Sequence, residues 1–411
     1  MAVLWTSWLP LVPAWLEYSD CEAQWSSATP SRSVFTKYKL DIYVEIIYTA
    51  IASSLQPDCE YTYRVGSGPH LWSKSYRFKG LTPFYTVSTT PGNATLPDSP
   101  RIAIFGDMGI GDFSKQTRNL LETYTQTGAI DAVIHLGDIG YDLDSRQGRV
   151  ADQFLHEIQP IASHIPYMVV PGNHEHYDNF THYSSIFRMP RNRQSGESNF
   201  FYSFNLGKAH FICVNSEAYF YLSTEFIAAQ YEWLEADLAV AQANRDAIPW
   251  VFVCMHKPFY CNIDWRRPME ESHDFKSNYD CDHESKQLRG ELEDLFHRYS
   301  VDMVFAGHMH NYERETPIYQ NRSIPSEVDF PHYHRNPKAQ VSILSGSAGS
   351  DHLHDVLSAT PQLWNVINVD NYGFGVLSVL NNSHIYWEQL DSQSHQVVDY
   401  VTIEKTRPTY Y

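Results

Sequence analysis

The chain has 411 residues, 43% of them hydrophobic, with 30 basic against 48 acidic side chains and a formal net charge of −18. The length predicts two or three domains and the apolar fraction a sizeable core. The acidity argues against the basic face of a nucleic-acid-binding protein and suits solubility or a working pH below neutral, and no apolar run approaches the ~18 residues that would span a bilayer.

Residues 1–94 read as a small all-β domain. Val3–Trp8, Ile42–Tyr48 and Glu60–Val65 are strand-like runs separated by turn residues. The stretch Leu55-Gln-Pro-Asp-Cys-Glu-Tyr61 resembles the tyrosine corner of fibronectin type III sandwiches, whose hydroxyl ties back to upstream backbone. The chain opens directly on what corresponds to such a sandwich's second strand. Glu17 and Asp20 interrupt the one apolar stretch that resembles a leader, so an N-terminally incomplete domain is expected. Cys21 and Cys59 are a candidate pair to staple it. Thr89 to Pro100 reads as a linker, and 98–411 as the second domain.

In that second domain, short apolar runs rich in β-branched residues alternate with amphipathic segments, which predicts an α/β architecture. Ile102–Phe105 leads to Asp107, Ala132–Ile134 to Asp138 and Tyr141, Tyr167–Val170 to Asn173 and His174, Trp250–Val253 to His256, and Val301–Phe305 to His308 and His310. Each polar group thus follows the C-terminal end of an expected core strand, where open α/β sheets gather ligands. Helices are expected over Ser114–Tyr124, Glu225–Ala243 and Glu284–Tyr299, and an antiparallel meander after Tyr372. Cys261 and Cys281 bracket an irregular loop and form a plausible disulfide, whereas Cys213 and Cys254, inside apolar runs, read as buried thiols. Ser345–Ser350 is small-residue loop without a P-loop lysine, placed near the site rim. His332, His334, His352 and His354 fall outside these segments and read as ordinary structural or surface histidines.

Apart from His174, the polar groups named at the strand ends are two carboxylates, a phenol, an amide and three imidazoles. Carboxylate and phenolate suit a hard ion, and imidazole with an amide oxygen suits zinc, manganese or ferrous iron, so the mixture implies two unlike metals. Gly106-Asp-Met-Gly109, Gly137-Asp-Ile-Gly-Tyr141, Gly172-Asn-His-Glu175, the His256 segment and Gly307-His-Met-His310 are similar to the five motifs of purple acid phosphatases, within the calcineurin-like metallophosphoesterases. The resemblance runs from about Pro100 to the end of the chain. It implies a metallophosphoesterase β-sandwich flanked by helices (α/β/β/α), behind the smaller fibronectin type III-like sandwich. It also implies that Asp107, Tyr141 and His310 bind Fe(III), that Asn173, His256 and His308 bind a divalent ion (Fe(II), Zn or Mn), and that Asp138 bridges them. His174 matches the histidine that interacts with phosphate or leaving group.

Many plant members carry a histidine pair about ten residues after the fourth motif, where this chain has Asp264-Trp265-Arg266-Arg267. Arg266 or Arg267 is expected to bind phosphate oxygens instead, guanidinium matching them bidentately. The implied activity is hydrolysis of phosphate monoesters, small or on phosphoproteins, by attack of a metal-bound hydroxide. A phosphodiesterase or nucleotide pyrophosphatase on the same scaffold, and a catalytically decayed binding protein, are the alternatives. A homodimer is compatible with the sequence. Four glycosylation acceptors, at Asn93, Asn179, Asn321 and Asn381, together with the cysteine pairs, lead to an expected secreted or lysosomal location.

Overall fold

The structure is a computed structural model that describes residues 1–7, 10–11, 13–36, 44–81, 99–190, 199–262, 281–350, 358 and 361–406. In the N-terminal part, strands Ala2–Ser7, Val44–Ile51 and Ser31–Thr36 form one antiparallel sheet. Trp25–Ala28, Trp15–Ser19, Glu60–Ser67, Leu71–Trp72 and Tyr76–Lys79 form another. Their inner faces share a core of Val3, Leu16, Tyr18, Ala50, Tyr61 and Phe78. Alternation along Glu60–Ser67 turns Tyr61 and Tyr63 inward. The Tyr61 hydroxyl accepts a 2.7 Å bond from the backbone N–H of Gln56, the backbone tie expected of this corner. Cys21 and Cys59 are joined as a disulfide. Most of the expected linker, and Asn93 with it, lies outside the described residues.

The larger part is two mixed sheets packed face to face. In the first, Arg101–Phe105 (β1), Ala132–His135 (β2) and Tyr167–Val169 (β3) run parallel, and Gly373–Ser378 adds to β1 antiparallel, followed by His384–Asp391 and Val397–Glu404. The expected meander therefore continues this sheet from β1, and Tyr333–Arg335 and Val328–Phe330 extend it further. In the other sheet, Ala209–Cys213, Trp250–Cys254 (β4), Met303–Ala306 (β5) and Val341–Ser345 run parallel at the centre. Ile102, Ile104 and Trp387 from one sheet meet Phe211, Phe252 and Phe305 from the other.

Helices cover both outer faces, giving the α/β/β/α layering. Asp112–Gln126 and Ser145–Ala162 pack on the first sheet, with Leu121, Phe154 and Ile158 buried. Thr224–Ala243 covers the second sheet through Trp233, Leu234 and Leu238, and Ser223 caps it by accepting from the Phe226 N–H. Because every central strand lies between two apolar layers, its sequence is a continuous apolar run rather than an alternating one. Two of the three expected helices match closely. The third begins earlier, as Cys281–Leu288, widens to a π turn over Arg289–Glu293, and resumes as Asp294–Arg298. Ser145–Ala162 and Tyr177–Ile186 are helices with no counterpart in the sequence reading. The N-terminal domain rests on the first helical layer: the Tyr63 hydroxyl donates to the Ser163 carbonyl at 2.9 Å, and Phe35 sets its ring edge-on to His182.

Candidate metal centre

All five polar segments meet where the carboxyl ends of the two sheets converge. The backbone stitches them together: Asp107 N donates to Gly137 O (3.1 Å), Gly106 N to Ser345 O (2.7 Å) and Gly307 N to His256 O (2.9 Å). Two glycines make the approach feasible. A Cβ at Gly172 would lie 2.2 Å from Oδ1 of Asp138, and one at Gly307 would lie 2.5 Å from Oδ2 of Asp107. Asp107, Asp138, Tyr141 and His308 all hold positive φ angles, a conformation that non-glycine residues keep only where the surroundings impose it, and one that clusters at functional sites.

The donors fall into two groups. Tyr141 Oη lies 2.8 Å from His310 Nε2 and 3.4 Å from Asp107 Oδ1, with His310 Nε2 3.6 Å from the same carboxylate. His256 Nε2 lies 2.9 Å from Asn173 Oδ1 and 3.3 Å from Asp138 Oδ1. Ligand atoms of Asp138, His256 and His308 all come within 4.8 Å of one another. The backbone N–H of His308 donates to Asp107 Oδ2 at 2.8 Å, tying one group to the other.

The outer nitrogen of each imidazole is engaged by the protein. His256 Nδ1 faces the Leu136 carbonyl at 2.7 Å, His310 Nδ1 the Ser350 hydroxyl at 3.1 Å, and His308 Nε2 the Glu284 carboxylate at 3.0 Å. Outer partners of this kind set tautomer and ring orientation at metal sites. The oxygen-rich trio suits a hard ion and the amide–imidazole group a softer divalent one; the donor set fits two ions.

Burial and neighbouring charge oppose one another here. Burial acts against protonation of His256, yet the carboxylates around it, Asp138 foremost with Asp107 and Glu217, together outweigh it and carry the pKa up to about 10. The field that holds a proton on that ring is one that would attract a cation. Burial also raises Asp138, but the imidazoles around it pull it well below the carboxylate range. Asp107, more dominated by burial, lies well above it. His308 is pushed down to about 3 by burial and by Lys257.

His174 sits at the mouth. Its Nδ1 is anchored on Asp142 Oδ1 at 2.8 Å, its Nε2 lies 3.9 Å from Asp138 Oδ2, and its ring centre is 4.6 Å from that of Tyr141. Burial lowers its pKa, and Asp138 and Asp142 more than compensate, to about 9. Arg266 and Arg267 lie outside the described residues. The Ser345–Ser350 loop proves to be an inner wall rather than a rim: a Cβ at Gly346 would lie 2.9 Å from Asp107 Oδ2. His332 and His334 make local bonds to Tyr400 and Asp329 elsewhere. Glu175 is a site residue whose role sequence reasoning missed, although it stands in the third motif. Its carboxylate accepts backbone N–H bonds from Asp138 (2.9 Å), Ile139 (2.8 Å) and Gly172 (2.8 Å), fastening two ligand loops together. Lys257 and Glu284 were also missed, because no spacing links them to His308.

The calcineurin-like phosphoesterase profile matches residues 100–312, the iron/zinc purple acid phosphatase-like C-terminal profile residues 339–400, and the purple acid phosphatase N-terminal domain profile residues 1–80. The chain belongs to the purple acid phosphatase family. A Mus musculus relative, acid phosphatase type 7, is 35% identical, the match covering 98% of this chain and 87% of the mouse protein. An Arabidopsis thaliana family member named "Probable inactive purple acid phosphatase 27" is 32% identical over 87% of this chain and 57% of its own length. Among solved structures, the purple acid phosphatase PPD1 from yellow lupin seeds superposes with a TM-score of 0.76 at 25% identity, covering 98% of this chain and 72% of the lupin chain.

Proposed function

We propose that this family member is an acid phosphatase that hydrolyses phosphate monoesters at a binuclear centre of Fe(III) and a divalent ion. Asp107, Tyr141 and His310 would hold the ferric ion, Asn173, His256 and His308 the divalent one (Fe(II), Zn or Mn), and Asp138 would serve both. When bound, two such cations polarise a phosphoryl group and make water a competent nucleophile at moderate pH.

The observation that carries this reading is the intact donor set with every imidazole's outer nitrogen engaged by the protein. An enzyme losing its metals has no need to keep those outer partners, which disfavours the decayed alternative. His174, held by Asp142, would present an N–H to the phosphoryl group or the leaving oxygen. Arg266 and Arg267 would add contacts to phosphate oxygens. No serine or cysteine nucleophile is needed.

The domain division at 1–94 and 98–411, and a secreted or lysosomal location, belong to the same proposal. The Cys21–Cys59 disulfide supports the location, as do the exposed acceptors Asn179, Asn321 and Asn381. Turnover of monoesters and diesters by the metal-loaded protein, compared at acid and neutral pH, tests the activity. Preferential monoester hydrolysis that a chelator abolishes is expected. Diester preference would shift the reading to a phosphodiesterase, and no turnover of either by a metal-replete protein would overturn it.

A further inference from the structure

Behind His308 lies a buried charge cluster that the five motifs do not include. The Lys257 ammonium, 1% exposed, lies 3.0 Å from each oxygen of Glu284 and 3.8 Å from Oε2 of the fully buried Glu217. It also lies 3.1 Å from Nε2 of His308, the nitrogen that faces Glu284 at 3.0 Å. Two groups of opposite character therefore claim one nitrogen. A carboxylate only accepts and an ammonium only donates, so a proton on Nε2 belongs with Glu284 and a lone pair there belongs with Lys257. An imidazole with its proton on Nε2 offers its lone pair at Nδ1, and the other tautomer offers none there.

We propose that Glu284 is the residue that makes His308 a metal ligand, by holding its proton on Nε2 and turning the Nδ1 lone pair toward the divalent ion, and that Lys257 opposes this while clamping Glu284 in place. Both are positioning residues, and the inference rests on the binuclear reading above. The two members of one ion pair then affect the metal in opposite directions. Removing Glu284 takes away the acceptor and a negative charge and leaves the ammonium facing Nε2. Removing Lys257 takes away the competing donor and a positive charge, leaving Glu284 and Glu217 to attract the cation. A purely structural pair would instead lower metal affinity from either side, because each deletion strands a buried charge.

Zinc titration of the full-length protein carrying its ferric ion but stripped of the divalent one, read by competition with a chromophoric chelator, tests this. Glu284→Leu is expected to weaken zinc binding by about 10–100-fold, the usual loss on removing an outer partner of a ligand histidine. Glu284→Gln, which keeps size and an acceptor oxygen, should lose less, and Lys257→Met should bind zinc at least as tightly as wild type. The visible band of the ferric site, which reports on Tyr141, should be unchanged in all three and shows that the fold is intact. Wild-type affinity in Glu284→Leu, or equal weakening in Lys257→Met, would overturn the inference. A wild-type protein that takes up no zinc would overturn the binuclear reading itself, a result seen before any variant is made.

Discussion

The phenol oxygen of Tyr141 stands 2.8 Å from Nε2 of His310. That contact joins the loop after β2 to the loop after β5, and so the first sheet to the second. It also sets a phenol and an imidazole, with Asp107 beside them, in a hard-ion donor group.

Tyr141→Phe removes the phenolate and leaves the ring's packing. The oxidised, iron-loaded wild type is expected to absorb in the visible through phenolate-to-iron charge transfer, and Tyr141→Phe to be colourless. An unchanged spectrum would remove Tyr141 from the ligand set. Asp138→Ala should lower the content of both metals and reduce activity to that of chelator-stripped wild type, measured by elemental analysis beside turnover.

Glu175 is buried and holds three backbone N–H groups of two ligand loops. Glu175→Ala leaves those donors buried without acceptors, each costing about 1–3 kcal/mol. A loss of several degrees in melting temperature is expected, together with weaker retention of both metals on dialysis. Glu175→Gln, which retains one acceptor oxygen, should fall between the two.

His135 lies wholly buried between Phe105 and Phe154, with Nδ1 3.1 Å from the Tyr167 hydroxyl. Burial lowers its pKa to about 3, against about 6.5 in an unfolded chain. Between those values the unfolded state binds the extra proton, so this group makes the fold less stable as pH falls from about 6.5 toward 3, by at most about 1.4 kcal/mol per pH unit. His135→Phe should melt lower than wild type at pH 7.5, because Tyr167 loses its partner, but should lose less stability on acidification. Melting curves of metal-stripped protein from pH 7.5 to 4.5 measure both effects, and parallel pH profiles would refute the assignment.

Cys21→Ser with Cys59→Ser unfastens the ends of the neighbouring strands Trp15–Ser19 and Glu60–Ser67 within one N-terminal sheet. Removing such a bridge typically costs about 2–4 kcal/mol. The expected result is earlier unfolding of that domain by circular dichroism, with the spectrum of the iron site unaltered.

The donor residues were legible in the sequence because each lies within two to six residues of an apolar strand end, a spacing that local backbone geometry preserves. The sandwich layers were legible too, since a strand covered on both faces must be apolar throughout. Asp107, Asp138, Tyr141, Asn173, His256, His308 and His310 could be named together because metal chemistry constrains residue type.

The tertiary structure alone decided what stands behind those donors. Glu284 reaches His308 from 24 positions away and Lys257 from 51, and Gly346 packs against Asp107 from the far end of the domain. Outer partners need only charge or a hydrogen-bonding atom at the right point in space, so they leave no periodicity or fixed spacing along the chain. The meander's place in the first sheet is likewise tertiary: an antiparallel edge can pair with any open strand, and the register between Gly375 and Ile104 is set by the fold.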